Sequence, residues 1–220
     1  MTQAHFLPSL DYEMPRWAAG YRRVAGLDEA GRGAWAGPVV AAAVVLPPGD
    51  QSLLERLRGV RDSKQVAPRQ RETLLEVIRE YAVAVGVGVV PPDEIDRLGI
   101  VPATRRAMVQ ALEAISPPAD YLLIDYLPLV EVALPQYSLP KGDVLVLSIA
   151  AASIVAKVSR DRMMVELEEH LPGYGFGRHK GYGTAQHQAA LAVLGPSPAH
   201  RLSFAPLQRL EEEKLLGASL

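Results

Sequence analysis

Between Val24 and Val40 the chain reads Val-Ala-Gly-Leu-Asp-Glu-Ala-Gly-Arg-Gly-Ala-Trp-Ala-Gly-Pro-Val-Val. An apolar run arrives at two adjacent carboxylates, passes through glycines at 31, 33 and 37, and becomes apolar again, which is the pattern of strand, loop and strand. Neighbouring side chains on a strand point to opposite faces, so Asp28 and Glu29 serve one ligand only where the strand ends and its backbone turns. The glycines supply that turn and leave backbone amides uncovered. Alone, the pattern suits a plain hairpin with a solvated acidic end equally well, because a short glycine loop is a weak motif. The rest of the chain decides between the two.

Near half of the 220 residues are hydrophobic, enough for one well-buried domain. There is no cysteine, which excludes disulfide, zinc-thiolate and thiol-nucleophile chemistry and fits a reducing compartment. The uncharged apolar run Val144 to Ala156 is short of the roughly 20 residues that span a bilayer. Met1 to Leu10 lacks a basic region followed by an apolar core, so the sequence reads as a soluble cytoplasmic protein without a membrane partner. The net charge of −2 announces no polyanion partner, but its distribution does. From Pro172 to Arg209 there is no Asp or Glu, while Arg178, Lys180, Arg201 and Arg209 occur with His179, His187 and His200.

Residues 1–20 carry two prolines and little periodicity and read as an irregular arm. Residues 21–220 read as one domain, its C-terminal helices from about residue 172 forming a lobe. Strands are expected at Tyr21–Asp28 and Val39–Leu46, paired as a hairpin, at Ala82–Val90 as a buried strand, and at Asp120–Asp125. A further strand within Val130–Leu139, interrupted by Pro135, lies near an edge. Asp62-Ser63-Lys64 reads as an exposed polar triplet before a helix from Pro68 to Glu80. Shorter helical stretches follow at Leu53–Leu57 and after Pro92, and a longer one at Ala103–Ile115. A long helix runs from about Val146 to Leu171, with Leu147, Ala151, Ile154 and Val158 as an apolar stripe and Ser153, Lys157 and Arg160 on another face. Thr184 and Ser203 cap two final helices.

Four carboxylates stand out by position. Asp28 and Glu29 end one strand, Asp125 ends another, and Asp143 follows Lys141-Gly142 ahead of the long helix; functional groups gather at strand ends in open α/β sheets. Converging carboxylates repel one another unless a cation joins them. Magnesium prefers oxygen donors and is commonly completed by water and substrate phosphate, and two such ions about 4 Å apart serve phosphodiester cleavage.

In this order and spacing the motifs resemble ribonuclease HII, the type 2 ribonuclease H family, over roughly residues 24–207. They are Gly-Leu-Asp-Glu-Ala-Gly-Arg-Gly (26–33), Gly-Pro-Val-Val-Ala-Ala-Ala-Val (37–44), Asp-Ser-Lys (62–64), Glu-Ile-Asp (94–96), Leu-Ile-Asp (123–125) and Lys-Gly-Asp (141–143). The series continues with Ala-Ala-Ser-Ile-Val-Ala-Lys-Val-Ser-Arg-Asp (151–161), Gly-Tyr-Gly-Phe-Gly-Arg-His-Lys-Gly-Tyr-Gly-Thr (173–184) and His-Arg-Leu-Ser-Phe-Ala-Pro-Leu (200–207).

The resemblance implies an α/β, ribonuclease H-like fold: a mixed five-stranded sheet flanked by helices, with a helical C-terminal region. It implies an endonuclease that cleaves RNA in RNA–DNA hybrids and on the 5′ side of single ribonucleotides embedded in duplex DNA, leaving a 3′-hydroxyl and a 5′-phosphate. Asp28, Glu29, Asp125 and Asp143 match the catalytic, metal-binding carboxylates, with Mg2+ or Mn2+ as cofactor. Gly31, Arg32 and Gly33 resemble the turn that senses the ribose, and Tyr182 matches the tyrosine packed against the sugar on the DNA side of the junction. Lys64, Lys157, Arg160, Arg178 and Lys180 are candidates for phosphate contacts, which position a duplex without reading its sequence. A monomer is expected.

Two positions depart from the family pattern: Tyr126 stands where a glycine is usual, and Ala34-Trp35 replaces a proline and a small aliphatic residue. A binder of hybrids without turnover remains the alternative, disfavoured because binding alone gains nothing from four acids beside phosphates. A sister ribonuclease H specialised for long hybrids is a weaker one.

Overall fold

The apolar runs on either side of the glycine loop pair at the heart of a five-stranded sheet. In the computed structural model, which describes residues 7–217, the elements in chain order begin α1 (Glu13–Ala18), β1 (Val24–Ala30), β2 (Val39–Val45), α2 (Leu53–Arg56), α3 (Pro68–Tyr81) and β3 (Ala84–Val90). They continue α4 (Pro92–Leu98), α5 (Ile100–Glu113), β4 (Tyr121–Asp125), β5 (Gln136–Leu139), α6 (Gly142–Leu145), α7 (Leu147–His170), α8 (Phe176–His179), α9 (Ala185–Leu194) and α10 (Ala205–Gly217). The strand order is β3-β2-β1-β4-β5. β1 is antiparallel to β2 from Ala25↔Val45 to Ala30↔Val40, and β4 is parallel to both β1 and β5. The sheet is therefore mixed, as expected. Among the described residues no helix is long and apolar enough to cross a membrane.

The chain divides into two compact units. The first holds the chain up to Ala30, Val40–Val89 and Arg105–Ser159, and so carries the sheet. Its core joins Ala42 and Val44 of β2, Leu74, Leu75 and Ile78 of α3, and the start of α7. A Cβ at Gly26 would collide with the backbone of Ser148, so the absence of a side chain there is what lets α7 lie flush on β1. Every residue from Val146 to Ala156 is buried, and the helix has no solvent face over that length. The expected apolar stripe is buried, but the other expected face does not lie open to solvent: Ser153 and Arg160 are buried and Lys157 is half-buried.

Other differences have equally local causes. The arm is not irregular where it is described: α1 interrupts it, Ser9 exchanges backbone bonds with Leu145 and Leu147, and the buried Glu13 accepts the Ser148 N–H at 2.8 Å. That carboxyl satisfies one of the orphan amides at the start of α7. Residues 1–6 lie outside the described part. Ser63 is buried rather than exposed, in a 3-10 turn whose Asp62 carboxylate accepts the Lys64 N–H. β3 lies at an edge with alternating burial, so it is not buried on both faces. β5 is the opposite edge and shorter than expected, consistent with Pro135.

The second unit gathers Gly31–Val39, Val90–Thr104 and the chain from Arg160 onward. It thus includes the glycine loop and α4 besides the C-terminal helices. Ala36, Met164, Tyr174, Phe176, Leu191, Ala199 and Leu207 form its core. Thr184 caps α9 by accepting the His187 N–H. Ser203 does not cap α10 with its side chain; its hydroxyl donates to Asp96, whose carboxylate also accepts the Leu202 and Ser203 amides.

Candidate active site

The parallel register of β1 and β4 pairs Leu27 with Ile124, which places the next residues, Asp28 and Asp125, side by side at the same end of neighbouring strands. Asp28 is buried and its Oδ1 accepts the Glu29 N–H at 2.7 Å. The Ser153 hydroxyl hydrogen-bonds the Asp28 carboxyl and lies 3.0 Å from the hydroxyl of Ser63. Asp125 Oδ1 accepts the Gly142 N–H at 2.7 Å, and this bond ties the end of β4 to the turn that carries Asp143.

Burial, followed by the charges of Glu29 and Asp125, pushes the Asp28 carboxyl well above the usual range. Burial, Asp125 and Asp62 likewise push Asp143 up to about 6, with Lys64 opposing. The Lys64 ammonium stands 4.0 Å from Asp143 Oδ2 on a side chain that is 82% exposed. Although its own desolvation works against it, Asp62, Asp143, Asp28 and Asp125 together hold Lys64 above its ordinary value. The first unit therefore gathers Asp28, Asp125, Asp143 and Lys64 into one electrostatic cluster, which Glu29 adjoins through Asp28. β1 does not end at Asp28 but continues to Ala30, so the two neighbouring acids remain on a strand. Among the described residues no group of three or more Asp, Glu or His side chains is drawn together closely enough to hold a metal ion. Lys157 is half-buried on α7 of the same unit.

In the second unit the glycine loop is shaped by two buried arginines. Gly31 takes a φ of +94°, and a Cβ there would run into the Arg160 guanidinium. Gly33 is exposed, with open space where its Cβ would be. Arg32 is half-buried, and its carbonyl accepts from Arg201 Nη1 at 3.0 Å. Arg201 spends its other nitrogens on the Gly37 carbonyl, and burial lowers its pKa to about 9.

Arg160, expected on the surface to meet phosphate, is fully buried. Its nitrogens donate to the carbonyls of Pro38, Lys180 and Ala36 at 2.8, 2.9 and 3.0 Å. A guanidinium has donors in a fixed fork, and here three nitrogens of that fork are engaged by carbonyls. It is a clamp and not a phosphate ligand. Arg178 is exposed, Lys180 is half-buried, and Tyr182 is 36% exposed. The sequence marks Arg201, His187 and His200 only as members of the acid-free basic segment and Ser63 only as part of an exposed triplet, and no local signal there announces that all four are buried.

Ala34-Trp35 is accommodated: Ala34 is buried, the Trp35 N–H donates to the Gly181 carbonyl at 2.8 Å, and its ring fills the space above Gly183. Tyr126 has a φ of +58°, the left-handed region in which glycine is the usual residue, and its side chain is exposed.

Comparison with known proteins agrees with this architecture. Residues 25–207 match the family described as Ribonuclease HII. The chain is 54% identical over 213 residues to the ribonuclease HII of Roseiflexus castenholzii, covering 97% of this chain and 95% of that one. It is 53% identical over 201 residues to the Chloroflexus aurantiacus enzyme, covering 91% and 95%. Among solved structures, the ribonuclease H2 of Pyrococcus horikoshii OT3 is similar with a TM-score of 0.70 at 28% identity, covering 87% of this chain and 98% of that one. A match across both units, from relatives more than half identical over nearly their whole length, makes this chain a member of the ribonuclease HII family and a ribonuclease H-type endoribonuclease.

Proposed function

We propose that the enzyme is a divalent-metal-dependent endonuclease that cuts RNA in RNA–DNA hybrids and on the 5′ side of a single ribonucleotide embedded in duplex DNA, leaving a 3′-hydroxyl and a 5′-phosphate. The observation that carries this reading is the strand register that sets Asp28 beside Asp125, with Asp125 close enough to both Asp28 and Asp143 to strengthen their hold on a proton. Acids in that condition fit a hard cation, which removes the repulsion. Mg2+ and Mn2+ suit such oxygen donors, because they keep water and phosphate in their remaining positions. Asp28, Glu29, Asp125 and Asp143 would hold the ions. When bound, such ions activate water and stabilise the leaving oxygen of a phosphodiester.

The protein's own groups supply the rest. Ser153 fixes the Asp28 carboxyl by a hydrogen bond, and the Gly142 amide fixes Asp125. Lys64 brings a long exposed cation beside Asp143, where it meets a substrate phosphate. Lys157, Arg178 and Lys180 contact the backbone of the duplex. Gly31, Arg32 and Gly33 feel the 2′-hydroxyl, which is both donor and acceptor and alone tells the target nucleotide from its neighbours. Gly33 supports that role most directly, because its open side admits a close approach. Tyr182 packs its exposed ring on the sugar that follows.

An end-labelled DNA duplex with one embedded ribonucleotide tests the reading. Cutting 5′ of the ribonucleotide is expected with Mg2+ or Mn2+, and its loss with a chelator or in Asp125→Asn while circular dichroism stays unchanged. A protein that shifts this duplex without cutting it, in either ion, would overturn the proposal.

A further inference from the structure

The second unit buries three histidines against one another: His179, His187 and His200. The rings of His179 and His187 stack with centroids 4.5 Å apart at 17°, and the edge of Phe176 closes on both. His187 and His200 meet nitrogen to nitrogen, Nε2 to Nε2, at 3.0 Å.

The fixed backbone partners leave one arrangement of protons. The Ser197 N–H, which only donates, points at His200 Nδ1 at 2.9 Å, closer than the Ser197 carbonyl at 3.3 Å that a proton on Nδ1 would need, so that nitrogen is bare and the proton sits on Nε2. His200 Nε2–H then donates to His187 Nε2, which must also be bare. His187 therefore carries its proton on Nδ1, facing the Tyr182 carbonyl at 3.1 Å, a group that only accepts. His179 is fixed independently: Nδ1 accepts the Gly181 N–H at 3.2 Å, and Nε2–H donates to the Tyr174 carbonyl at 2.8 Å. In this arrangement each ring nitrogen is used; the alternative, with His200 Nδ1–H on the Ser197 carbonyl, would leave the Ser197 N–H and the Tyr182 carbonyl without their ring partners. Burial is also the main cause that lowers the His187 pKa to about 4 and holds His200 below its ordinary value, which keeps these two rings uncharged at neutral pH.

All of this converges on one turn. The relay from Ser197 through His200 and His187 ends on the Tyr182 carbonyl, which also accepts the Thr184 N–H at 2.8 Å. The Tyr182 N–H donates to the His179 carbonyl at 3.0 Å, and the residue before it bonds the His179 ring. Tyr182 itself presents an exposed ring on a backbone held from beneath. We infer that His187, oriented by His200 and stacked on His179, is a positioning residue that holds Tyr182 in place for substrate through its Nδ1–H bond to the Tyr182 carbonyl. The inference rests on the proposed role of Tyr182 at the sugar beside the cleaved junction.

Two measurements test it. Nitrogen-15 spectra of histidine-labelled enzyme at neutral pH should show His187 as the Nδ1–H tautomer and His179 and His200 as Nε2–H; His187 found as Nε2–H or protonated overturns the inference. The second is a double-mutant cycle on the single-ribonucleotide duplex. His187→Phe keeps the ring's bulk and loses both bonds, and should lower kcat/KM by about tenfold. His187→Asn places an amide N–H near the Nδ1 position and should restore most of that loss. On a Tyr182→Ala background, His187→Phe should cost little more. Equal losses in both backgrounds would mean a general structural role and end the inference, leaving the proposed function standing. A Tyr182→Ala enzyme with unchanged kcat/KM would remove the sugar-packing role of Tyr182 and the inference together.

Discussion

The guanidinium carbon of Arg160 lies 5.5 Å from the centre of the Tyr182 ring, while its nitrogens bind three carbonyls beneath that ring. One buried cation thus ties the chain at Ala36 and Pro38 to the turn at Lys180. Arg160→Met keeps much of the volume but leaves those carbonyls without their donors. Hydrogen bonds to charged groups contribute about 1.5–3 kcal/mol each, partly offset here because the buried charge itself is removed. A net loss of about 3 kcal/mol is expected, read as a lower urea midpoint at an unchanged m-value. A loss below about 0.5 kcal/mol, the range of ordinary surface substitutions, would show that the clamp is dispensable.

The glycines at 31 and 33 separate folding from recognition. Gly31→Ala forces a side chain into a left-handed backbone and against Arg160, so it should destabilise the protein by about 1–3 kcal/mol and reduce activity through the fold. Gly33→Ala meets nothing within 4 Å and has no left-handed φ to disturb. It should leave thermal stability within a degree or so while weakening cleavage at a single ribonucleotide, because the methyl occupies the space that a ribose would approach. Thermal melts and junction-cleavage rates on both variants check the pair; full activity in Gly33→Ala removes that glycine from recognition.

Local pattern carried much of this architecture and long-range pairing carried the rest. The hairpin was legible because apolar runs flank turn residues, and Asp125 because its strand ends on an acid in a sheet whose functional groups gather at such ends. Glu13 could not be read as a helix cap, since its partner Ser148 lies 135 positions away. Arg160 was misplaced for a similar reason: helical spacing defines a face, but whether that face meets water depends on what packs there. The imidazoles at 179, 187 and 200 share no period, and only the folded second unit gives each ring nitrogen its partner. The positive φ at Tyr126 accounts for the family's usual glycine there, although the sequence alone gave no sign of the backbone's hand.

The acidic cluster should make metal-free stability depend on pH. Asp28 and Asp143 bind protons more tightly folded than unfolded, Asp143 with a pKa of about 6 against an ordinary 3.8. Their contribution is therefore complete below about pH 4 and is lost as pH rises through their folded values, about 6 for Asp143. His187, held down to about 4, contributes in the opposite sense over the same window, so a single profile mixes the two. Comparison with Asp125→Asn separates them, since Asn keeps the oxygen that accepts the Gly142 amide and removes the charge that raises both acids. In chelator at pH 7.5 the variant should be more stable than wild type by about 1 kcal/mol, a figure reduced for solvent screening, and the gap should close toward pH 4. Adding Mg2+ should close it as well, by stabilising the wild type preferentially. A variant less stable than wild type at pH 7.5 in chelator would contradict the repulsion.

Salt dependence distinguishes the exposed cations from the buried ones. Each phosphate neutralised by a Lys or Arg adds about 0.9 to the slope of log binding constant against log salt. Arg178 is exposed in the acid-free segment, so Arg178→Ala should weaken binding of a hybrid duplex and reduce that slope by about one contact's worth. Arg160 has three nitrogens on carbonyls and no exposed surface, so Arg160→Met, measured where it remains folded, should weaken binding without changing the slope. The experiment needs a catalytically silent background, which Asp125→Asn supplies for both variants and their common reference. If Arg160→Met flattened the slope as much as Arg178→Ala, its guanidinium would have to reach phosphate in the complex, and the clamp would be a resting arrangement that the duplex displaces.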